Sequence, residues 1–216
     1  ERPEMLQAVL AHEVAHIANG HITRRAGNMR AARSAALFGL ALSLAVAQEN
    51  PGAAAGLAIG SSSSAMRRLF AHTRAEEVAA DQSGVRYMAR ANVDPTAMVE
   101  VLELFEGQEA LTPGRQDPYV RTHPLSRDRI RAVKGFAAAF GEVDPPDPAM
   151  AYWFARSRAK LSAYLRNPGW TLRRVSAGDS SDAALVARAV AHSQNANGAE
   201  ARRAAQALVA KRPSDP

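Results

Sequence analysis

Residues 11–21 read AHEVAHIANGH, which places three of the chain's six histidines within ten positions. A helix turns about 100° per residue, so side chains four apart share one face, one turn above the other. His12 and His16 have that spacing. Each can then offer a ring nitrogen to a single zinc ion about 2.0–2.1 Å away, which is the physical content of the pattern H-E-x-x-H. Glu13 falls beside such an ion and not on it, where it can take a proton from the attacking water and pass it to a leaving amine. His21 differs: it lies five residues after His16, and a continuing helix turns it to another side. The metzincin pattern needs six residues there and a glycine three after the second histidine, whereas Gly20 comes four after. His21 therefore reads as a surface histidine or one that supports a ligand from behind. Catalytic zinc usually has three protein ligands plus water, so a third ligand remains to be found.

Composition narrows where it can come from. There is no cysteine among 216 residues, which excludes thiolate sites and disulfides. The length suits one main domain and a smaller module. The net charge of +6 is carried mainly by arginine, scattered along alanine-rich segments and not clustered with aromatics, so it reads as a solvated helix surface and not as a nucleic-acid interface. The chain opens on Glu1 with no initiator methionine and no signal-like segment, as expected of a mature or excised piece.

Nearly all of the sequence has helical periodicity, and the expected fold class is mainly α. Pro3 suits a first helical turn, and Met5, Leu6, Val9, Leu10, Val14 and Ile17 form a stripe expected to bury one face of the histidine helix. Residues 31–48, AARSAALFGLALSLAVAQ, raise the question of a membrane. Their uninterrupted apolar part runs only from about Ala35 to Ala47, short of the ~20 residues a span needs, so a buried helix is expected, with contact at a membrane surface as the alternative. ENPG at 49–52 is a turn, and SSSS at 61–64 is a second break or a helix start. The helix expected over 67–91 carries Glu76, Glu77 and Asp81. Glu77 and Asp81 share a face; Glu76 is out of phase with Asp81. Glu77 could complete a site of two histidines and one glutamate while Asp81 accepts the N–H of a ligand histidine, although the same residues could form an exposed charged face.

HEVAHIANGH, EVAAD about sixty residues later and RTHPLSRDRI at 121–130, in that order, resemble the HtpX/BepA-like zinc metallopeptidases, which are gluzincins. The resemblance spans about residues 3–135. It implies His12, His16 and Glu77 as zinc ligands, Glu13 as general base, Asp81 behind the ligands, and His123 of the His-Pro motif close to the metal. The tail is similar to the branch with tetratricopeptide repeats: counted from Asp182, Ala189, Ala201 and Pro213 fall where that 34-residue repeat wants small residues and a proline, while Leu185 and His192 stand where large residues are expected. The organisation expected is a zincin-like metallopeptidase domain over 1–145, then a helical linker and the start of a tetratricopeptide-like region over 146–216. Zincins hold substrate on an edge strand ahead of the H-E-x-x-H helix, and ERPEMLQAVLA leaves no room for one, so that strand region is expected upstream.

What the resemblance implies is a periplasmic zinc endopeptidase acting on misfolded or stalled envelope proteins, including outer-membrane proteins. The outer-membrane assembly machinery is a candidate partner through the repeat region. A docking or chaperone-like module with a latent zinc site is the alternative.

Overall fold

The computed structural model describes residues 2–112, 114–141, 143–145 and 147–215, except for the side chain of residue 109; Glu1 and Pro146, the first residues of the two expected segments, lie outside them. The described residues contain no strand, and the chain divides into two compact units, Pro3–Asp144 and Pro145–Pro216.

The first unit begins with α1 (Pro3–Ala18), α2 (His21–Val46) and the 40-residue α3 (Pro51–Arg90). It continues with α4 (Thr96–Glu103), a 3-10 turn at Gln108–Ala110, α5 (Pro118–Thr122) and α6 (Arg127–Ala138). Local chemistry sets these ends. Gly20, at φ +68°, adopts the left-handed backbone that breaks α1 from α2. Asn50 caps α3 by accepting from the Ala53 amide, with Pro51 at the first turn. The four serines do not interrupt α3: the hydroxyls of Ser61 and Ser62 donate to the Ala58 carbonyl within the helix, so the expected break is absent.

The core of this unit joins α1, the second half of α3, α4 and α6 through Met5, Val85, Met88, Met98, Leu102 and Val133. At the crossing of α1 and α3 lies Gly84, where a Cβ would sit 2.9 Å from the Met98 methyl and 3.3 Å from the His12 backbone nitrogen. The stripe expected to bury α1 is only partly inside. Met5 is buried and Val9 half-buried, but Leu6, Leu10, Val14 and Ile17 are exposed. The helix instead buries Met5, Ala8, His12 and Ala15, because His12 must face the carboxylates of α3.

The expectation of a buried helix over 31–48 is likewise overturned. Over 18 of its residues α2 is apolar enough, and over its length long enough, to cross a membrane, yet only 11 % of that stretch is buried. It lies along the first half of α3 as a two-helix hairpin.

The second unit contains α7 (Pro148–Leu165), α8 (Pro168–Arg174), α9 (Asp182–Gln194) and α10 (Gly198–Lys211). Asp147, Asn167, Ser181 and Asn197 cap these four helices with their side chains. Small residues, Ala163, Ala184, Ala187, Ala191 and Ala204, fill its interior around Leu185. Within the aromatic cluster of α7, Tyr152 and Trp153 meet edge to face and the Arg156 guanidinium lies 4.8 Å from the Trp153 ring centroid, while Trp153 stays exposed.

Candidate metal centre

His12 and His16 point from α1 toward Glu77 and Asp81 of α3, and the loop after α5 brings His123 to the same place. One ligand atom from each of His12, His16, Glu77 and His123 lies within 4.8 Å of the other three. His12 Nε2 is 3.0 Å from His16 Nε2 and 3.5 Å from Glu77 Oε2, and His16 Nε2 is 3.4 Å from Glu77 Oε1. Donor atoms of a tetrahedral zinc with bonds of 2.0–2.1 Å stand roughly 3.4 Å apart. The set fits.

The far side of each imidazole explains why these nitrogens face inward. His12 Nδ1 lies 2.9 Å from Asp81 Oδ1; a carboxylate can only accept, so Nδ1 carries the proton. His16 Nδ1 lies 3.0 Å from Nδ1 of His21, which is buried. Donation from His16 in that contact leaves its Nε2 lone pair directed at Glu77. His21 is thus the supporting histidine. Its helical phase misleads because α1 has already ended at Ala18 and Gly20 turns the chain back.

Electrostatics follow from this crowding. Burial opposes a charge on His12, but the close contact with Asp81 and the negative charges of Asp81 and Glu77 outweigh it and push the imidazole up to about 9. Burial takes His16 the other way, down to about 4, with the three neighbouring histidines adding to the effect. A single proton between the two Nε2 atoms satisfies that pair, and a cation is the general solution. Glu77 Oε2 is buried and accepts no hydrogen bond; Arg129 Nη1 at 3.0 Å balances its charge without the alignment of a hydrogen bond.

Arg129 is the residue that sequence reading missed. It is 3 % exposed, and its Nε and Nη2 donate to both oxygens of Asp81 at 2.8 and 2.9 Å. Its Nη1 also donates to the Pro124 carbonyl at 2.9 Å. Burial raises the Asp81 carboxyl, but His12 and Arg129 together hold it below its ordinary range. The signal available in the sequence was the pairing of Glu77 and Asp81 at one site, since two carboxylates brought together require a counter-charge. Twenty-seven basic residues gave no means of choosing it.

His123 ends α5 at φ −123° and ψ 77°, outside the helical region that a following proline disfavours, and Ser126 caps α6 by accepting from the Arg129 amide. The His123 ring stacks on Tyr119 at 4.4 Å, its Nδ1 contacts the Thr122 hydroxyl at 2.9 Å, and its Nε2 lies 3.4 Å from Glu13 Oε1. Glu13 itself is outside the ligand set and partly exposed.

The profile of peptidase family M48 matches residues 1–137. The chain belongs to peptidase family M48. M48 peptidases are metal-dependent, in keeping with a histidine–glutamate cluster that could hold a metal. Over 156 residues the chain is 29 % identical to a putative beta-barrel assembly-enhancing protease of Vibrio cholerae serotype O1, covering 71 % of this chain and 31 % of that protein. The beta-barrel assembly-enhancing protease of Escherichia coli strain K12 is 26 % identical over 137 residues, or 63 % of this chain and 28 % of that one. The Yersinia pestis protein of that name is 26 % identical over 153 residues, or 71 % and 31 %. The chain thus spans less than a third of the length of these relatives. No solved structure matches it significantly.

Proposed function

We propose that this M48 chain carries the zinc centre of an endopeptidase, with His12, His16 and Glu77 as ligands and Glu13 as general base. The observation that carries the reading is the convergence of inward nitrogens and a buried glutamate oxygen that accepts no hydrogen bond, each imidazole held from behind. Zinc held there by His12, His16 and Glu77 would supply Lewis acidity to a peptide carbonyl and to the attacking water. Glu13, beside the ligands and open to solvent, takes the water's proton and delivers it to the leaving amine. Asp81 fixes the His12 tautomer, and Arg129 fixes Asp81. The exposed stripe of Leu6, Leu10, Val14 and Ile17 supports a strand-bearing region packed on α1 in the full-length protein, which would present substrate beside Glu13. The α9–α10 pair supports the reading of residues 146–216 as the beginning of a tetratricopeptide-like array. The relatives' names support a role in β-barrel assembly; the family resemblance extends that reading to misfolded or stalled outer-membrane proteins as substrates, the periplasm as location and the outer-membrane assembly machinery as partner.

His123 favours a latent resting state. Its ligand atom belongs to the same cluster as those of the three ligands, and bound to a metal it would fill the fourth position that catalytic zinc keeps open. Hydrolysis of an unfolded protein by the full-length enzyme, lost in Glu13→Gln with metal content intact, tests the peptidase reading; substrate binding with no hydrolysis under any condition would leave the docking alternative. His123→Ala should raise hydrolysis if the loop blocks the metal. A fall on the order of 10²-fold would instead make His123 an oxyanion donor.

A further inference from the structure

The hairpin of α2 and the first half of α3 is built inside out. Its seam holds small residues, Gly39, Ser43, Ala54 and Ala65, and the helices approach so closely at Gly39 that a Cβ there would lie 2.1 Å from that of Ser61. The large apolar side chains point outward: Phe38 is 70 % exposed, Leu44 68 % and Ile59 67 %, with Leu37, Leu40 and Leu57 also open. A helix pair in water buries its large residues and exposes small polar ones, whereas in lipid it packs on small residues and turns large apolar ones outward.

Charge is distributed to match. Between His21 and Ala75 there are seven arginines and one acid, Glu49, which lies in the turn between the two helices. Because Gly39 meets Ser61, Arg33 stands level with Arg67 across the hairpin, flanked by Arg30 and Arg68. From this collar to the turn is 16 residues, or roughly 24 Å of helix, against ~30 Å for a hydrocarbon core. Arginines at such a border bind anionic headgroups while their stems remain on apolar surface.

We propose that the hairpin is a bilayer anchor, seated turn-first in a membrane carrying anionic lipid, with the collar of Arg30, Arg33, Arg67 and Arg68 at the headgroups of one face. The insertion is independent of the zinc reading.

The test uses the full chain and vesicles of phosphatidylethanolamine with a minority of phosphatidylglycerol, compared with pure phosphatidylcholine. The chain should co-sediment with the anionic vesicles and be released by high salt. Phe38→Gln combined with Leu44→Gln and Ile59→Gln should weaken partition by on the order of 10²-fold or more, with helix content and zinc stoichiometry unchanged. Arg33→Gln with Arg67→Gln should weaken it by on the order of 10-fold. Glu49→Gln should strengthen it, since insertion carries that carboxylate into the bilayer. Phe38→Trp should add fluorescence that brominated lipid quenches. Absence of binding to the anionic vesicles would overturn the proposal, as would a Glu49→Gln variant that binds no more tightly. So would self-association without lipid that Phe38→Gln disperses, which would make a second copy the occupant.

Discussion

The two halves of α3 belong to one uninterrupted helix and obey opposite rules. From Pro51 to about Thr73 it buries only Ala54 and Ala65 and turns Leu57, Ile59, Met66 and Phe70 outward. From Glu77 to Met88 it buries two carboxylates and the apolar Ala80, Val85 and Met88. Apolar residues therefore do not by themselves decide what lies inside. In the second half, a charge network with matched partners fixes the buried face, and the hydrophobic side chains follow; in the first, close backbone approach excludes large side chains from the seam.

The substitution that strains this contrast most is Arg129→Met, which leaves Glu77 and Asp81 buried without their counter-charge. It should cost about 3–5 kcal/mol of stability in urea unfolding, and Arg129→Lys should restore only part, because an ammonium cannot span both Asp81 oxygens. An unchanged midpoint would mean that the network does not hold the second half in place.

Metal affinity sharpens the same point. Asp81→Asn should weaken zinc retention by roughly 10- to 100-fold, Glu77→Gln by more, and Glu76→Gln hardly at all, as read by chelator competition. If Glu76→Gln empties the site while Glu77→Gln does not, the helical phase assigned here is wrong. The pH dependence has a definite sign. Zinc must displace a proton from His12, whose imidazole is held at about 9, so affinity should climb with pH between 7 and 9, by up to about tenfold per unit, and level off above. A flat profile across that range would contradict the protonated pair.

The finest comparison places one substitution at two sites on α3. Gly84→Ala meets the Met98 methyl and the α1 backbone and should destabilise by about 1–3 kcal/mol. Gly56→Ala, with nothing within 4 Å, should stabilise by up to about 1 kcal/mol. Thermal unfolding of the two variants should move in opposite directions.

How much of this was legible in the sequence depends on whether a rule is local. The i, i+4 spacing brings His12 to His16, and the same period sets Glu77 with Asp81 and apart from Glu76, because each pair lies within a single helix. His21 was legible only as one of two alternatives, at the surface or behind a ligand, since its position depends on a left-handed glycine between helices. The faces of α1 were misread because six large residues outweigh one histidine in any apolar count, yet the ion pairing of that histidine orients the helix. The α2 segment was misread for a related reason: apolarity predicts removal from water and does not say whether protein or lipid does the removing. The fold class, mainly helical, follows from periodicity over long segments.

Arg129 does one more thing. By holding the Pro124 carbonyl with the same guanidinium that grips Asp81, it ties the residue after His123 to the buried charge network. Release of His123 then requires unstacking from Tyr119 and parting from the Thr122 hydroxyl, while the ligands keep their places. On the latent reading proposed above, such a latch would open and reclose without disturbing the three ligands.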